Sequence, residues 1–589
     1  MMFQAAIKSV LCPPKLSAQV WLVGGAILAV YVATLIHLPQ GVFYSPDAGG
    51  KYMQMLGYHW DGGLQCDIVY HGAKMDPDGF FYGAQAGWEA HAAILPYRNE
   101  KGLHTGWPPW FSLLTQPLYR ALGVPGLYVV PWAAGLMIVV LCGLLAERIR
   151  PGTGLPVAVV LALASPLRFY SLCYWEHTLA GALALAALLP MVRAKSESMA
   201  IVVRPYRWCI AGIFLLAASA VRRELIFFMG AGLLAWAWIH PRRWRYLPIV
   251  LGALAVVGAG GAYLLLVHPA LLLWLVPSGG NNVYGLHQLI NGGFWLEIGR
   301  HLVRLVLLFD FDTLLPWQMR WAALMGLAIC LGSPFAAARW RSRMVLVGAV
   351  LVGVATVWLV CTHVHYRALN SLLLPAPMAL LALLPSVGPS SDVRRWLGWT
   401  IVFFLGALCI VLPASVMNGA YNGLEWGSRY ALVAMVLLNL LALVAVCETR
   451  SASNVSSSMR RAVTLVAAGL VLLGAASGVR GVHQLRQTRH ELLELQGELE
   501  RAGAPVVTDA WWPGVSLAPF AAHHEVYTLS AQHPFSEWLA LVGRRQSRFI
   551  YVGERMPDSM AGGGGQWHCR QGPSVAGLSL AHFQRIPGP

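Results

Sequence analysis

The sequence predicts an all-α polytopic membrane protein of about thirteen transmembrane helices, with juxtamembrane helices on the outer face and a small C-terminal α/β lobe. Three observations carry this. Of 589 residues, 57% are apolar and only 12% charged, about half the charged share of a soluble domain. Apolar runs of the 17 to 25 residues needed to cross about 30 Å of hydrocarbon recur along the chain. Basic residues return at every second connection between those runs, the pattern of loops retained in the cytoplasm. The same composition excludes an ordinary cytosolic enzyme and most nucleic-acid binders. The net charge of +16 is then first a topology signal.

The runs lie near 16–38, 125–146, 155–174, 177–192, 209–221, 225–239, 247–267, 317–337, 344–362, 371–385, 397–414, 429–447 and 462–478. The first is too long, and too weakly followed by a small-residue cleavage site, for a removed signal peptide. The basic loops hold Lys8 and Lys15; Arg148 and Arg150; Arg193, Lys195, Arg204 and Arg207; Arg242, Arg243 and Arg245; Arg339, Arg341 and Arg343; Arg394 and Arg395; and Arg450, Arg460 and Arg461. Only two spans across 209–239, broken at Arg222-Arg223-Glu224, keep this alternation. The amino terminus is then cytoplasmic and the carboxyl terminus outside.

Between Pro39 and Val124 an outer loop with seven acidic residues ends in the aromatic, amphipathic stretch HTGWPPWFSLLTQPLYRALG, whose Trp107, Trp110 and Tyr119 suit a helix in the interface. A second interfacial helix is expected over 295–309. After the last span, HQLRQTRHELLELQGELERAG reads as a polar helix, followed by short strands at 505–508, 525–529 and 548–552 alternating with helical pieces. The Gly-rich run 562–565 reads as a flexible loop. The domain division is therefore 1–479, the multi-span part, and 480–589, the lobe.

Ionisable groups at membrane depth or on short outer turns are costly and mark function. Asp47, in Tyr44-Ser45-Pro46-Asp47-Ala48-Gly49-Gly50-Lys51, has two glycines beside it that allow close backbone approach; its competing role is to cap a helix starting at Ala48. Glu176 and His177 occupy a tight outer turn, with a solvated cap as the alternative. Arg222 and Arg223 stand on the side the basic loops avoid, against which stands plain snorkelling to headgroups. Arg429 and Tyr430, in Trp426-Gly427-Ser428-Arg429-Tyr430, open the twelfth span, and Arg367 follows His363 and His365 before the tenth; without a third ligand nearby, that histidine pair reads as structural. Arginine forks suit a phosphate and a carboxylate suits proton abstraction, so acids and arginines on one face fit a lipid-borne phosphate substrate. The ten cysteines show no metal spacing; Cys66 and Cys569 both fall on the oxidising side, paired or free.

The outer acid after the first span, the W-P-P-W-F-S-L-L-x-x-P-L-Y-R-x-L-G helix, the second acid in the next outer loop and the late W-G-S-R-Y element together resemble the C-type (GT-C fold) integral-membrane glycosyltransferases, in particular the bacterial mannosyltransferase-like and aminoarabinose-transferase-like proteins. The resemblance covers essentially the whole chain by topology, through short motifs. The segment from Val506 to Trp512 is similar to the opening of the small periplasmic domain carried by many of these proteins. The resemblance implies inverting transfer of a sugar from a polyprenyl-phosphate donor to a periplasmic glycan, lipid or protein acceptor, in a bacterial inner membrane. It implies Asp47 as general base, Glu176 as the second acid, and Arg222, Arg223 and Arg429 as clamps on the departing phosphate, with Lys51 a further phosphate ligand. The sequence departs from the pattern in having a single Asp in the first motif and Glu-His in the second. These departures leave the cofactor open, a divalent metal being compatible with the sequence but not required by it, and His177 is either an acid/base partner or a hydrogen-bond neighbour of Glu176. Asp61, Asp67, Asp76 and Asp78 compete for the base role, the last three in turn-forming sequence. The rival readings are a transporter or flippase of lipid-linked saccharides, which would place charges at mid-span, and a polysaccharide polymerase or ligase.

Overall fold

The computed structural model describes residues 18–60, 64–83, 95–99, 102–192, 205–239, 252, 316–362, 371–385, 391–411, 428–553 and 567–586. The span expected at 247–267, the helix expected at 295–309, Arg367 and its two histidines, Asp61 and the glycine run 562–565 lie outside the described residues.

Fourteen α-helices of five residues or more precede the first strand of the C-terminal sheet among the described residues: α1 (Ala18–Ile36), α2 (Pro46–Gly57), α3 (Pro109–Leu122), α4 (Val129–Ile149), α5 (Gly154–Leu163), α6 (Leu167–Ser171), α7 (His177–Leu188), α8 (Pro205–Val221), α9 (Leu225–Ile239), α10 (Trp317–Gly332), α11 (Ala338–Cys361), α12 (Ser391–Val411), α13 (Leu432–Ser451) and α14 (Ser457–Ala502). Among the described residues five segments are long and apolar enough to cross a membrane: Val124–Ile149, Ala338–Cys361, Asp392–Ile410, Leu432–Ser451 and Ser457–Ala502. Shorter apolar helices pack among them, and α13 is the most enclosed, 89% of its apolar window being buried.

Three expected elements take another form. The run 155–174 is not one helix. Pro166 supplies no N–H, α5 stops at Leu163, and Ser165 Oγ donates to the Leu161 carbonyl at 2.6 Å while accepting from the Leu167 amide at 3.3 Å before α6 begins. The run 371–385 is no spanning α-helix either. Pro375 and Pro377 deny it two amide donors, and it folds as turns and a 3₁₀ segment, Pro377–Leu383. Such irregular backbone is tolerated at membrane depth when buried in protein, and Leu372 to Leu381 are buried throughout. Finally, the polar helix after the last span is not separate. It continues α14 without a break, making one helix of 46 residues, about 69 Å long.

The first helix is fixed against this break: Tyr31 donates to the Ala162 carbonyl at 3.1 Å and Arg168 to Thr34 Oγ1 at 2.6 Å. Two small hairpins, β1–β2 (Tyr58–Trp60, Leu64–Cys66) and β3–β4 (Tyr97–Asn99, Gly102–His104), follow α2. Beyond α14 the chain forms a five-stranded mixed sheet from β5 (Val506–Thr508), β6 (Val526–Thr528), β7 (Arg548–Gly553), β8 (Trp567–Val575) and β9 (Leu578–Arg585), in the order β6-β5-β7-β9-β8. β5 runs parallel to β6 and β7, and β9 antiparallel to β7 and β8. Its core stacks Phe549 on Phe583 at 4.7 Å, with Trp538 at the edge of Phe549. The C-terminal lobe sits on the segments around α2: the Phe43 amide donates to the carbonyl of Ser516, in the short helix Pro513–Ser516, at 3.0 Å, and the Thr528 amide of β6 to the Phe81 carbonyl at 2.8 Å. Cys66 is buried and Cys569 exposed, and neither is in a disulfide.

Candidate functional site

α2 begins at Ser45-Pro46-Asp47. Proline fits the first helical position because its absent N–H has no partner there anyway, and the Ser45 side chain makes no capping bond. Asp47 is therefore inside the first turn, not its cap, and Lys51 follows one turn later on the same face. α2 is buried on nearly all sides. The amphipathic α3 holds it: Ser112 Oγ donates to the Lys51 carbonyl at 3.1 Å, Gln54 Nε2 to the Trp107 carbonyl at 2.8 Å, and Gln116 Nε2 to the carbonyls of Met55 and Tyr58, both at 2.9 Å.

Three acids, Asp47, Glu176 and Glu224, meet three cations, Lys51, Arg222 and Arg429, at this place. Arg429 Nη1 donates to Asp47 Oδ2. Lys51 Nζ lies 2.6 Å from Glu176 Oε2, and Arg222 Nη1 donates to Glu176 Oε1 at 2.8 Å. Arg222 also turns its Nε to Glu224, at 2.7 Å. Asp47, Lys51 and Glu176 expose 5%, 2% and 2% of their surface. Burying charge is costly unless it is paired, and here three carboxylates match three cations. Burial pushes the Lys51 ammonium below its ordinary value against the opposing pull of Glu176 and Asp47. Burial works to raise the Glu176 carboxyl, but Lys51 and Arg222 outweigh it and hold that carboxyl well below the usual range.

An aromatic wall encloses the charges. Lys51 Nζ lies 4.0 Å from the Trp107 ring centroid, Arg222 and Arg429 each stand 5.1 Å from Tyr430, and Arg429 is 5.7 Å from Trp175. Trp175 Nε1 donates to Ser45 Oγ at 3.0 Å, tying the Glu176 turn to the Asp47 turn. The His177 ring presents T-shaped contacts to Trp175 and Tyr430. Its Nε2 is buried and has no hydrogen-bond partner among the described residues.

The structure thus gathers Asp47, Lys51, Glu176, His177, Arg222, Arg429 and Tyr430. Arg223 is half-buried and makes no ion pair with either acid among the described residues. The competing acids are elsewhere engaged or exposed: Asp76 accepts from Tyr70 and the amides of Phe80 and Phe81, at 2.9, 3.0 and 2.9 Å, while Asp67 and Asp78 are exposed. Among the described residues no three histidine, cysteine or carboxylate side chains gather as a metal-ligand set. The sequence assigns Trp107 to an interfacial helix and Glu224 to the break between two spans, and gives neither these nor Trp175 and Ser45 a role at the site. Glu224 adjoins the arginines and Trp175 adjoins Glu176, so adjacency was the available signal.

No family model and no curated protein matches the sequence. Among solved structures, the chain is similar over 96% of its length to 98% of ArnT from Cupriavidus metallidurans bound to undecaprenyl phosphate, at 12% identity and a TM-score of 0.49. It is also similar, over 90% of its length, to 69% of the oligosaccharyltransferase from Archaeoglobus fulgidus in the apo form, at 11% identity and a TM-score of 0.44.

Proposed function

We propose that this chain is a membrane glycosyltransferase that moves a sugar from a polyprenyl-phosphate donor to a hydroxyl of a periplasmic glycan, lipid or protein, with inversion. The observation that supports it is the convergence of Lys51, Arg222 and Arg429, from three distant segments, on the buried acids Asp47 and Glu176. In this reading a carboxylate held by arginine is a weak base. A donor phosphate offers Arg429 a better bidentate partner, and its arrival releases Asp47. Asp47 then accepts the acceptor's hydroxyl proton as that oxygen bonds to the anomeric carbon. The bond from that carbon to the phosphate oxygen breaks, and its electron pair leaves with the lipid phosphate. Arg429, Arg222 and Lys51 receive the developing charge. Glu176 holds Lys51 and Arg222 in position, and His177 offers its buried Nε2 as a hydrogen-bonding group beside them.

The same reading places residues 1–479 in a bacterial inner membrane with a cytoplasmic amino terminus, and 480–589 in the periplasm. The test is Asp47→Asn in membranes supplied with a labelled polyprenyl-phosphate sugar. Loss of a general base lowers the rate by about 10²- to 10⁴-fold; transfer at the wild-type rate would remove Asp47 from the mechanism.

A further inference from the structure

Arg489 lies on α14, 32 residues past its start by residue number, where the helix has left the apolar part of its sequence. It exposes 1% of its surface. Among the described residues no carboxylate pairs with it. Its Nη2 donates to the Leu172 carbonyl at 2.9 Å, its Nη1 reaches the Pro39 carbonyl at 3.5 Å, and its guanidinium lies 4.8 Å from the Tyr128 ring centroid. A buried cation held by carbonyls and a ring, its Nε without a hydrogen-bond partner among the described residues, is a costly substitute for an apolar side chain of the same volume. Its position accounts for its presence. Pro39 ends the exit from α1 and leads to Asp47. Leu172 follows α6, so its carbonyl is one that the helix leaves unmatched, and it opens the turn that ends in Glu176-His177. Residues 39–45 and 172–176 lie outside regular secondary structure; the first lead into α2, whose first turn holds Asp47, and the second end in Glu176 at the start of α7.

We infer that Arg489 is a positioning residue which fixes the Asp47 segment and the Glu176 segment against each other, so that α14, from which the C-terminal sheet continues, sets the spacing of the site. This rests on the reading of Asp47 and Glu176 as the working acids. A guanidinium can span two carbonyls with separate nitrogens while stacking on a ring; an ammonium is a single point of donation and cannot do all three. Misplacement by about 1 Å costs about 10²-fold in rate when orientation is the catalytic device.

The experiment uses the full chain in lipid nanodiscs, comparing the wild type with Arg489→Met, Arg489→Lys and Asp47→Asn. Hydrogen exchange is read over 39–47 and 172–177, with 432–451 as the internal reference, beside transfer kinetics from a labelled polyprenyl-phosphate sugar. The inference requires faster exchange in both acid-bearing segments of Arg489→Met, unchanged exchange in 432–451, and kcat lower by about 10- to 100-fold with donor KM within about threefold. Arg489→Lys falls between. Unchanged exchange in 39–47 and 172–177 overturns it whatever the activity. Faster exchange that includes 432–451 overturns it as well, since Arg489 is then a general packing residue. If wild-type protein transfers nothing while both segments still loosen in Arg489→Met, the positioning role stands and the glycosyltransferase reading falls.

Discussion

Glu176 is where the site's electrostatics can be weighed. It holds Lys51 at 2.6 Å and Arg222 at 2.8 Å, all three nearly out of solvent. Removing one member leaves an uncompensated buried charge, a loss of about 3–5 kcal/mol. Lys51→Met and Glu176→Gln are each expected to destabilise the protein by about that much, measured by thermal unfolding in nanodiscs. The double variant removes one charge of each sign, so its loss is smaller than the sum of the two. Strict additivity would show that the contact carries no energy. Part of this site was legible in sequence because local rules reached it: the four-residue step from Asp47 to Lys51, the acid in a turn too short to choose its direction, and arginines on the side other loops avoid. Which cation takes which acid was not legible, because Asp47 and Arg429 are 382 positions apart and only the folded chain brings them together. Arg489 shows a signal passed over. Among the charges of its polar stretch, it alone continues the buried stripe of Leu485, Leu492, Leu495 and Leu499, while Arg486 and His490 face out.

At the scale of elements, glycine and proline decided the forms that apolar runs took. Hydropathy marks 155–174 and 371–385 as spans, but hydropathy does not see that Pro166, or Pro375 with Pro377, removes the donors a helix needs. Strands at 506–508, 526–528 and 548–553 fall where β-branched and aromatic residues cluster between turns, and there the short-range pattern sufficed. The glycines of α2 were legible as permission for close approach, though not for what approaches. A Cβ on Gly49 would lie 1.6 Å from the Val515 carbonyl oxygen, inside the segment that backs the Asp47 helix. Backbone cannot yield as a flexible side chain can. Gly49→Ala is expected to cost about 1–3 kcal/mol or more and to speed proteolysis within 513–522. Gly25→Ala, with nothing within 4 Å of its Cβ in α1, is the control: it is neutral or stabilising by up to about 1 kcal/mol. Equal effects at both positions would mean that the 513–516 segment does not press on α2 in solution.

At the scale of the whole molecule, the two ends of the bundle differ in their charge. Around Asp47 and Glu176 the acids match the cations. At the far end of α4, Arg148 donates to the Leu189 carbonyl, Arg207 to the Pro190 carbonyl at 3.1 Å, and Arg150 to Ser451 Oγ at 2.5 Å. These arginines close helix ends without carboxylate partners among those bonds, and an excess of arginine in short loops marks the cytoplasmic side. In the proposed orientation the site end is the outer end, and the Val124–Ile149 segment, 26 residues long and about 39 Å at 1.5 Å per residue, separates the two. Single cysteines at Pro151→Cys, in the exposed turn after α4, and Gln532→Cys, exposed in the C-terminal lobe, test this in a background where Cys12, Cys361 and Cys569 are serine. Cys66 can remain, because burial, with Asp67 beside it, pushes its thiol up to about 12 and denies it the thiolate that maleimides need. An impermeant maleimide should label Gln532→Cys in intact cells and Pro151→Cys only after the membrane is opened. Labelling of both in intact cells would mean that α4 does not separate the two ends across a membrane, and the reverse pattern would turn the site toward the cytoplasm.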